Sequence, residues 1–401
     1  MNLLRERKER VLDKRRIAIL HSGNLSDVSP GGISEYVAQF IKHSNSDIYL
    51  LGTEKKEANL KLWRKYTRNV GEKQYIFIPI NYSNRKPISI YYFIHLVIFI
   101  ILNPRLWKEI EVVYAQRMEY VLPFCLLLLN KKVVMAVHGS GKYASMFWGH
   151  FIAKIYSFLE YTSIRRSTKV FILNNNPEFG VPYYKKKYSQ FKDKIYYTLV
   201  PVDTDLFRPL NKSIVRQKYN FRLDEKIILF LGRIEYNPKR VHLLPDILSK
   251  VKSVYPKTKL LIVGSGNDKE NLLNKLKDTN LLQDTVFVDY IKHGDELVEL
   301  INCADVSLIC STFEGICMSA LESISSGIPV VATNVGDIKE YLIHGENGYL
   351  VNNYKDEDAI VKEMSSFVLS VFNNKVKVNR KTIEKYKASY VVTKTESLLL
   401  E

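Results

Sequence analysis

Lys226-Ile-Ile-Leu-Phe-Leu231, followed at once by Gly232-Arg233, is the stretch on which the fold turns. A short, unbroken apolar run that stops at a glycine is what a strand buried on both faces requires. The pattern recurs. Lys259-Leu-Leu-Ile-Val263 ends at Gly264, Val286-Phe-Val288 and Val306-Ser-Leu-Ile-Cys310 follow, and Pro329-Val-Val-Ala-Thr333 is the last clear run. Helical periodicity fills the gaps, as over 269–276 and 296–302. Strands alternating with helices predict βαβ units and a parallel sheet. Towards the N-terminus the alternation continues less cleanly. Arg16-Ile-Ala-Ile-Leu20 leads into a Gly-rich turn and a helix from about Ser34; Val112-Val-Tyr114, 132–137 and 169–173 are further strands. Pro, Asp and a basic stretch interrupt the pattern over 201–222. The reading is an α/β protein of two doubly wound parallel-sheet domains, 1–208 and 209–378, facing each other across a cleft at the carboxyl ends of their strands. Residues 379–401 are expected to form a helix that packs back on the first domain.

Composition narrows the function. A chain of 401 residues that is 46% hydrophobic has material for a large core, and 12% aromatic content argues against disorder. No apolar run reaches the ~18 residues of a spanning helix. The first residues contain no apolar signal core. Cys125, Cys303, Cys310 and Cys317 form no CxxC pair, so neither a disulfide framework nor a zinc site is expected, and the chain reads as cytoplasmic. The net charge of +17 is confined to one half: residues 1–200 hold 32 Lys and Arg against 15 Asp and Glu, and the remainder is balanced. Such a field suits a nucleic acid, an anionic membrane surface or an acidic substrate. The absence of a helix-turn-helix, zinc-finger or aromatic RNP pattern sets nucleic acid aside. One segment, Ile88–Leu102, is apolar nearly all round and flanked by Lys86 and Arg105. At ~22 Å it is too short to span a bilayer. It is either a buried helix covering a sheet or a contact lying in the membrane interface. The buried helix is the leading reading, and the clusters Lys61/Arg64/Lys65/Arg68 and Lys185/Lys186/Lys187 raise the second, because anionic lipid attracts nearby Lys and Arg.

The residues suited to chemistry sit where strands end. Ser311-Thr-Phe-Glu314-Gly-Ile-Cys-Met-Ser-Ala-Leu-Glu322 reads as a strand end, a short loop holding Glu314 and a helix starting near Cys317. A helix N-terminus offers unpaired amides and partial positive charge to a phosphate, and two carboxylates flank it for sugar and ribose hydroxyls. A surface loop glutamate beside a solvated helical one is the equal alternative on this stretch alone. Arg233 and Lys239 bracket a turn after the first strand of the second domain, where both cations would face a diphosphate. Ser29-Pro30-Gly31-Gly32-Ile33-Ser34 follows the first strand; its glycines permit close approach of a ligand, or form a plain turn with Ser34 capping the helix. His138-Gly139 stands at a third strand end. Asp203-Thr-Asp205 spells a metal-binding DxD, but between Pro201 and Phe207 an Asx turn or a helix cap is the better expectation.

Taken together, these motifs resemble the retaining nucleotide-sugar glycosyltransferases of family 4, the glycosyl transferases group 1, which have the GT-B fold. The resemblance rests on Glu314 and Glu322 with seven residues between them, Gly315, Gly327-Ile-Pro-Val-Val-Ala-Thr333, Asn334-Val-Gly336 and His344-Gly-Glu-Asn-Gly348. Gly232-Arg233 with Lys239, Pro30-Gly31-Gly32, His138-Gly139 and Leu199-Val-Pro-Val-Asp203-Thr-Asp-Leu-Phe207 extend it. It is strongest over 226–351. The resemblance implies that Arg233 and Lys239 bind the donor diphosphate and that Glu314 holds sugar hydroxyls. Amides near Gly315, Ile316, Cys317 and Met318 would meet phosphate, and Glu322 the ribose. Gly31 and Gly32 would approach the phosphate from the first domain, and His138 would contact the transferred sugar. His138, Arg233, Lys239 and Glu314 are then the catalytic set.

The resemblance further implies a nucleoside diphosphate sugar as substrate, no metal and no cofactor. The basic, apolar first half points to a lipid-linked or saccharide acceptor in surface polysaccharide or lipid-linked glycan assembly, with the protein peripheral on the inner face of the cell membrane. Three departures stand out: Cys317 where Gly or Pro is usual, Asp289 where Gly is common, and Asp337 after Gly336 where Gly is frequent. A catalytically silent GT-B partner protein, which Cys317 favours, and a nucleotide-sugar epimerase of the same fold are the alternatives.

Overall fold

The structure, a computed structural model, describes residues 15–25, 32–83, 88–127, 130–138, 141–289, 291, 293–353 and 356–401; for 88–89 and 141–152 it describes the backbone. Lys86, one flank of the apolar segment, lies outside the described residues. The chain divides into two units, one formed by Met1–Pro201 with Ala388–Glu401, the other by Val202–Lys387.

In the first unit, β1 (Arg16–Leu20) leads to α1 (Gly32–His43) and β2 (Asp47–Glu54). A hairpin of β3 (Tyr66–Val70) and β4 (Lys73–Tyr82) follows, then α2 (Ile88–Leu102), α3 (Pro104–Glu109) and β5 (Val112–Ala115). After α4 (Leu122–Leu126) come β6 (Lys132–Val137), α5 (Gly141–Arg166), β7 (Lys169–Ile172), α6 (Val181–Lys187) and β8 (Ile195–Tyr197). The strands form one sheet in the order β3-β4-β2-β1-β5-β6-β7-β8. All neighbours are parallel except β3 and β4, so this sheet is mixed where a purely parallel one was expected. The order reverses between β1 and β5, and in such sheets that switch point opens a crevice beyond the carboxyl ends.

The core of this unit packs Ala18, Leu20, Val113 and Met135 from the sheet against Tyr92, Leu96 and Phe99 from α2 and Trp107 from α3. Each of those large side chains contributes roughly 1.5–3 kcal/mol through burial. The apolar segment therefore has a core face. It also has a solvent face: Ile90, Ile94, Ile98 and Ile101, spaced three or four apart, are 56, 46, 39 and 57% exposed. Among the described residues no helix is long and apolar enough to cross a membrane. The basic clusters are partly spent within the unit, Arg68 on Glu54 and Lys187 on buried Glu160.

The second unit begins with α7 (Lys212–Lys218) and β9 (Lys226–Leu231). It continues with α8 (Leu244–Lys252), β10 (Thr258–Val263), α9 (Lys269–Asp278), β11 (Thr285–Val288) and α10 (Asp295–Cys303). It ends with β12 (Val306–Ile309), α11 (Met318–Ser325), β13 (Val330–Thr333), β14 (Gly348–Val351) and α12 (Glu357–Phe372). The sheet order is β11-β10-β9-β12-β13-β14, with every neighbour parallel. Its switch point lies between β9 and β12. The boundary expected at 208/209 falls at 201/202, because Val202 N donates to Tyr386 O and Phe207 O accepts from Ser325 Oγ, both within this unit.

The last helix, α13 (Ala388–Leu400), belongs to the first unit and packs on α1. Glu396 fixes it there. Its buried carboxylate accepts from Ser44 Oγ at 2.6 Å, Ser46 N at 2.8 Å and Asn45 N at 3.0 Å, all in the turn between α1 and β2. Burial opposes its ionisation, yet these donors hold its pKa below the usual range. Replacing Glu396 by Ala strands three donors and is expected to cost about 2–4 kcal/mol. Denaturant unfolding measures this; a cost under about 0.5 kcal/mol would show that the turn closes without the carboxylate.

Candidate active site

The second unit gathers most of the expected residues at its switch point. β9 stops at Leu231 and the chain turns through Gly232 and Arg233; β12 stops at Ile309 and the chain turns through Ser311 and Glu314. The two loops are stitched together. Thr312 N donates to Pro238 O at 2.8 Å, Asn353 Nδ2 to Thr312 O at 3.0 Å, and Arg240 Nη1 to Asn353 Oδ1 at 2.7 Å. This brings Lys239 Nζ to 2.6 Å from Glu314 Oε1, which also accepts from Ser311 Oγ at 2.6 Å. The pair is largely buried. Burial disfavours the ammonium, but Glu314 overrides it and the Lys239 pKa lies above its ordinary value.

Arg233 does not converge on the same point. Its side chain is 65% exposed and Nη1 pairs with Glu235 Oε1 at 2.8 Å. Its charge is still near enough to oppose that of Lys239. Sequence reasoning overlooked Glu235, whose partner two residues away was its only signal.

The turn after Glu314 rests on β13's exit. Gly336 has φ +57°, and a Cβ there would meet Glu314 O and Gly315 O at 2.4 Å. Asp337 N donates to Gly315 O at 3.2 Å. On the β10 side, a Cβ at Gly264 would meet Gly232 O at 1.9 Å, so glycine is required where the two strand exits touch. Cys317 occupies the N-cap position of α11, buried, with its N donating to the Tyr341 hydroxyl at 3.2 Å. Burial, with Glu314 nearby, pushes its thiol up to about 12. Among the described residues nothing pairs with the amides of Ile316 and Met318, which stand beside Cys317 at the helix start.

Glu322 lies inside α11, buried, and its Oε1 meets His293 Nε2 at 2.8 Å. The sequence held no sign of His293: it lies 29 residues away on the exit from β11, and only the fold joins them. Asp289, the second departure from the family pattern, is exposed and pairs with Lys269 at 2.6 Å. The DxD motif does not converge. Asp203 Oδ1 accepts from Leu206 N, three residues on, at 3.0 Å as a capping side chain does, and Asp205 pairs with Lys387 at 3.1 Å. Among the described residues no group of three or more His, Cys, Asp or Glu is placed to hold a metal ion.

In the first unit the exits of β1, β5 and β6 carry His21, Gln116 and His138. His138 Nε2 lies 2.8 Å from Gln116 Oε1, and its ring stands edge-on to Tyr36 at 5.0 Å. His21, buried and overlooked in the sequence, places Nε2 2.9 Å from Ser34 Oγ. Ser34 therefore braces the first turn of α1 against β1; the helix begins earlier, at Gly32. A Cβ at Gly32 would meet nothing within 4 Å, so no packing demands glycine there. Ser29, Pro30, Gly31 and Gly139 lie outside the described residues. Burial, with the charge of Arg117 adding to it, lowers the pKa of His21 to about 4; burial, His21 and Arg117 lower that of His138 to about 3. Both imidazoles are neutral at pH 7.

Comparison with known proteins places this geometry. Residues 211–386, under half of the chain, match the family Glycosyl transferases group 1. It is similar to a glycogen synthase of Mycobacterium tuberculosis, 33% identical over 121 residues, which are 30% of this chain and 29% of that protein. A D-inositol 3-phosphate glycosyltransferase of Mycobacteroides abscessus is 30% identical over 161 residues, 39% of this chain and 35% of that protein. The chain thus spans about a third of the length of the curated relatives it matches. The likeness in structure runs further. A sucrose-phosphate synthase from Thermosynechococcus elongatus aligns with a TM-score of 0.74 at 16% identity, over 96% of this chain and 98% of that one. Anabaena HepE, solved in complex with UDP and glucose, aligns with a TM-score of 0.72 at 13% identity, over 96 and 99%. The fold is GT-B.

Two outcomes follow from this geometry. Gly336→Ala adds a methyl where two carbonyls stand at 2.4 Å in a left-handed conformation, and is expected to destabilise the protein by about 1–3 kcal/mol; thermal unfolding that matches the parent would show the 314–315 turn to be freely displaced. The histidines set a pH dependence. Unfolded, both protonate near 6.5; folded, only near 4 and 3. Between those values the unfolded chain binds more protons, so stability falls as pH falls, by roughly 1.4 kcal/mol per unit for each imidazole. Melting curves from pH 7 to 5 should show the fall, and His138→Gln should make it shallower; an unchanged slope in the variant would mean that His138 is charged in the folded protein.

Proposed function

We propose that the protein is a retaining glycosyltransferase. On this reading it takes a hexose-type sugar from a nucleoside diphosphate sugar and passes it to a lipid-linked saccharide acceptor. The setting is surface polysaccharide or lipid-linked glycan assembly on the inner face of the cell membrane. The observation that carries the reading is the Lys239–Glu314 pair at the β9/β12 switch point, beside the start of α11. When the anomeric C–O bond breaks, negative charge builds on the departing diphosphate. Lys239, Arg233 and the amides of Ile316 and Met318 are the donors to stabilise it, and with them the reaction as proposed needs no metal. A phosphate that draws Lys239 away from Glu314 frees the carboxylate to accept hydrogen bonds from sugar hydroxyls. Glu322, with His293 beside it, would receive the ribose, and Gly32 and His138 would serve the phosphate and the transferred sugar from the first unit. Cys317 supplies no thiolate, since burial keeps it protonated.

Relatives named as glycosyltransferases, and HepE with UDP-glucose bound, support a nucleotide-sugar substrate. The exposed stripe of α2 and the positive first half support an acceptor presented at a membrane. A thermal shift series with UDP, GDP, ADP and CMP, each with chelator, tests the donor half. One nucleotide at 100 times its Kd should stabilise the protein by ~2.7 kcal/mol. Lys239→Ala and Glu314→Ala should each lower transfer by about 10²–10³-fold. Unchanged transfer rates in both variants would remove the assignment.

A further inference from the structure

The amino edge of the first sheet, the end opposite His21, Gln116 and His138, carries a feature that transfer chemistry does not use. Lys131 precedes β6, Arg166 ends α5 just before β7, and Lys194 precedes β8. These three cations, from three separate connections, line one pocket of about 240 Å³ together with Cys125, Asn130 and Thr168. Among the described residues no carboxylate lines it. Lys131 Nζ donates to Ile110 O at 2.7 Å, and Lys194 Nζ to Arg165 O at 3.0 Å and Ser167 O at 3.1 Å; among the described residues neither has an ion-pair partner. Burial lowers the pKa of both lysines, and no acid restores it. Other partly buried cations meet carboxylates, as Lys187 meets Glu160 and Lys239 meets Glu314. Three like charges held around a pocket without a counterion call for an anion.

What adjoins the pocket says which anion. A second cavity of about 470 Å³ shares Asn130 and Lys131 with it. Its walls are apolar, from Ile100, Ile101, Trp107 and Leu127, and Lys108 stands with Lys131 at its edge. That volume is within the range of ligand pockets. Ile101 and Leu102, 57 and 61% exposed, and Leu126, 65% exposed, continue the apolar surface outwards onto the stripe of α2. A cationic pocket joined to an apolar slot, beside an exposed apolar helix face, matches one kind of molecule: an anionic headgroup that carries an acyl chain.

We propose that this edge is a phospholipid site, in which Lys131, Arg166 and Lys194 hold the headgroup phosphate while the slot between α2, α3 and α4 takes part of a chain. The proposal rests on the membrane half of the functional reading and not on the transfer reaction. It differs from attraction by net charge, which would be indifferent to which cations are removed.

Flotation of the full chain with phosphatidylcholine vesicles, with and without 20% phosphatidylglycerol, tests it. The wild type should float with the anionic vesicles. At about 1 kcal/mol for each cation near the surface, Arg166→Gln/Lys194→Gln should weaken that binding roughly 30-fold. Lys250→Gln/Lys362→Gln, which removes the same charge from exposed positions of the second unit, should leave it within about twofold. Ile101→Gln, which makes the wall of the slot polar and leaves the charge unchanged, should also weaken binding. Circular dichroism melts check that each variant folds. If wild type and both double variants float equally, the pocket is overturned while the membrane reading stands. If the wild type floats with neither vesicle, both fall. Stabilisation by millimolar inorganic phosphate that is lost in the Arg166/Lys194 variant, without vesicle binding, would overturn the lipid in favour of a free phosphate.

Discussion

The contact between Lys239 and Glu314 is the constraint around which the second unit is arranged. Two opposite charges in a largely buried position lose hydration, and the attraction between them offsets that loss only when geometry and additional hydrogen bonds are good. Here Ser311 supplies the extra donor, and the loops that carry the pair are fixed to one another through Thr312, Pro238 and Asn353. Gly336 and Gly264 are where they are because the strand exits beneath those loops approach too closely for any side chain. On the proposed reading the pair also keeps the site poised. An ammonium that already balances a carboxylate is available to a stronger anion, and the carboxylate it leaves is then a hydrogen-bond acceptor.

The central strands were legible because burial on both faces demands unbroken apolar runs; β9 and β13 stand within a residue of where the sequence put them. The strands that escaped notice have physical reasons to be faint. β3 is an edge strand with the polar sequence Tyr-Thr-Arg-Asn-Val, β8 spans three residues, β14 opens with Gly348, β2 holds Gly52 and β4 holds Pro79. Glycine and proline weaken the strand signal wherever they stand. The same division holds in the site. Glu314, Glu322, Arg233 and Lys239 follow strand ends in local motifs, so spacing finds them. His293, His21 and Tyr341 act through partners 29, 13 and 24 residues away, and no local pattern encodes such a meeting.

Charge and hydropathy mislead in a related manner. Periodicity presents α2 as apolar all round and puts a buried helix first; packing shows that it has both faces, Tyr92, Leu96 and Phe99 inward and the isoleucine stripe outward. A sum of +17 likewise hides which cations are spent. Arg16, Arg68 and Lys187 answer Glu109, Glu54 and Glu160. Lys131 and Lys194, of the same residue type, answer backbone carbonyls. What a surface can attract depends on the second group.

Cys317 bears on the proposal of a working site. It stands where the family resemblance implies glycine or proline, and that departure is what favours the catalytically silent alternative. Glycine is indispensable at a position only when φ is positive or a Cβ would collide. Cys317 has φ −82° and ψ 95°, open to any L residue, and its thiol lies 3.3 Å from the Ser319 hydroxyl without crowding the turn. The constraints on the 314–317 loop lie elsewhere, at Gly336 beneath it and at Tyr341, whose hydroxyl engages both the N–H and the carbonyl of residue 317. Those anchors are intact. The backbone at 317 therefore gives no support to the silent alternative, and the loop that carries Glu314 keeps its shape with cysteine in place.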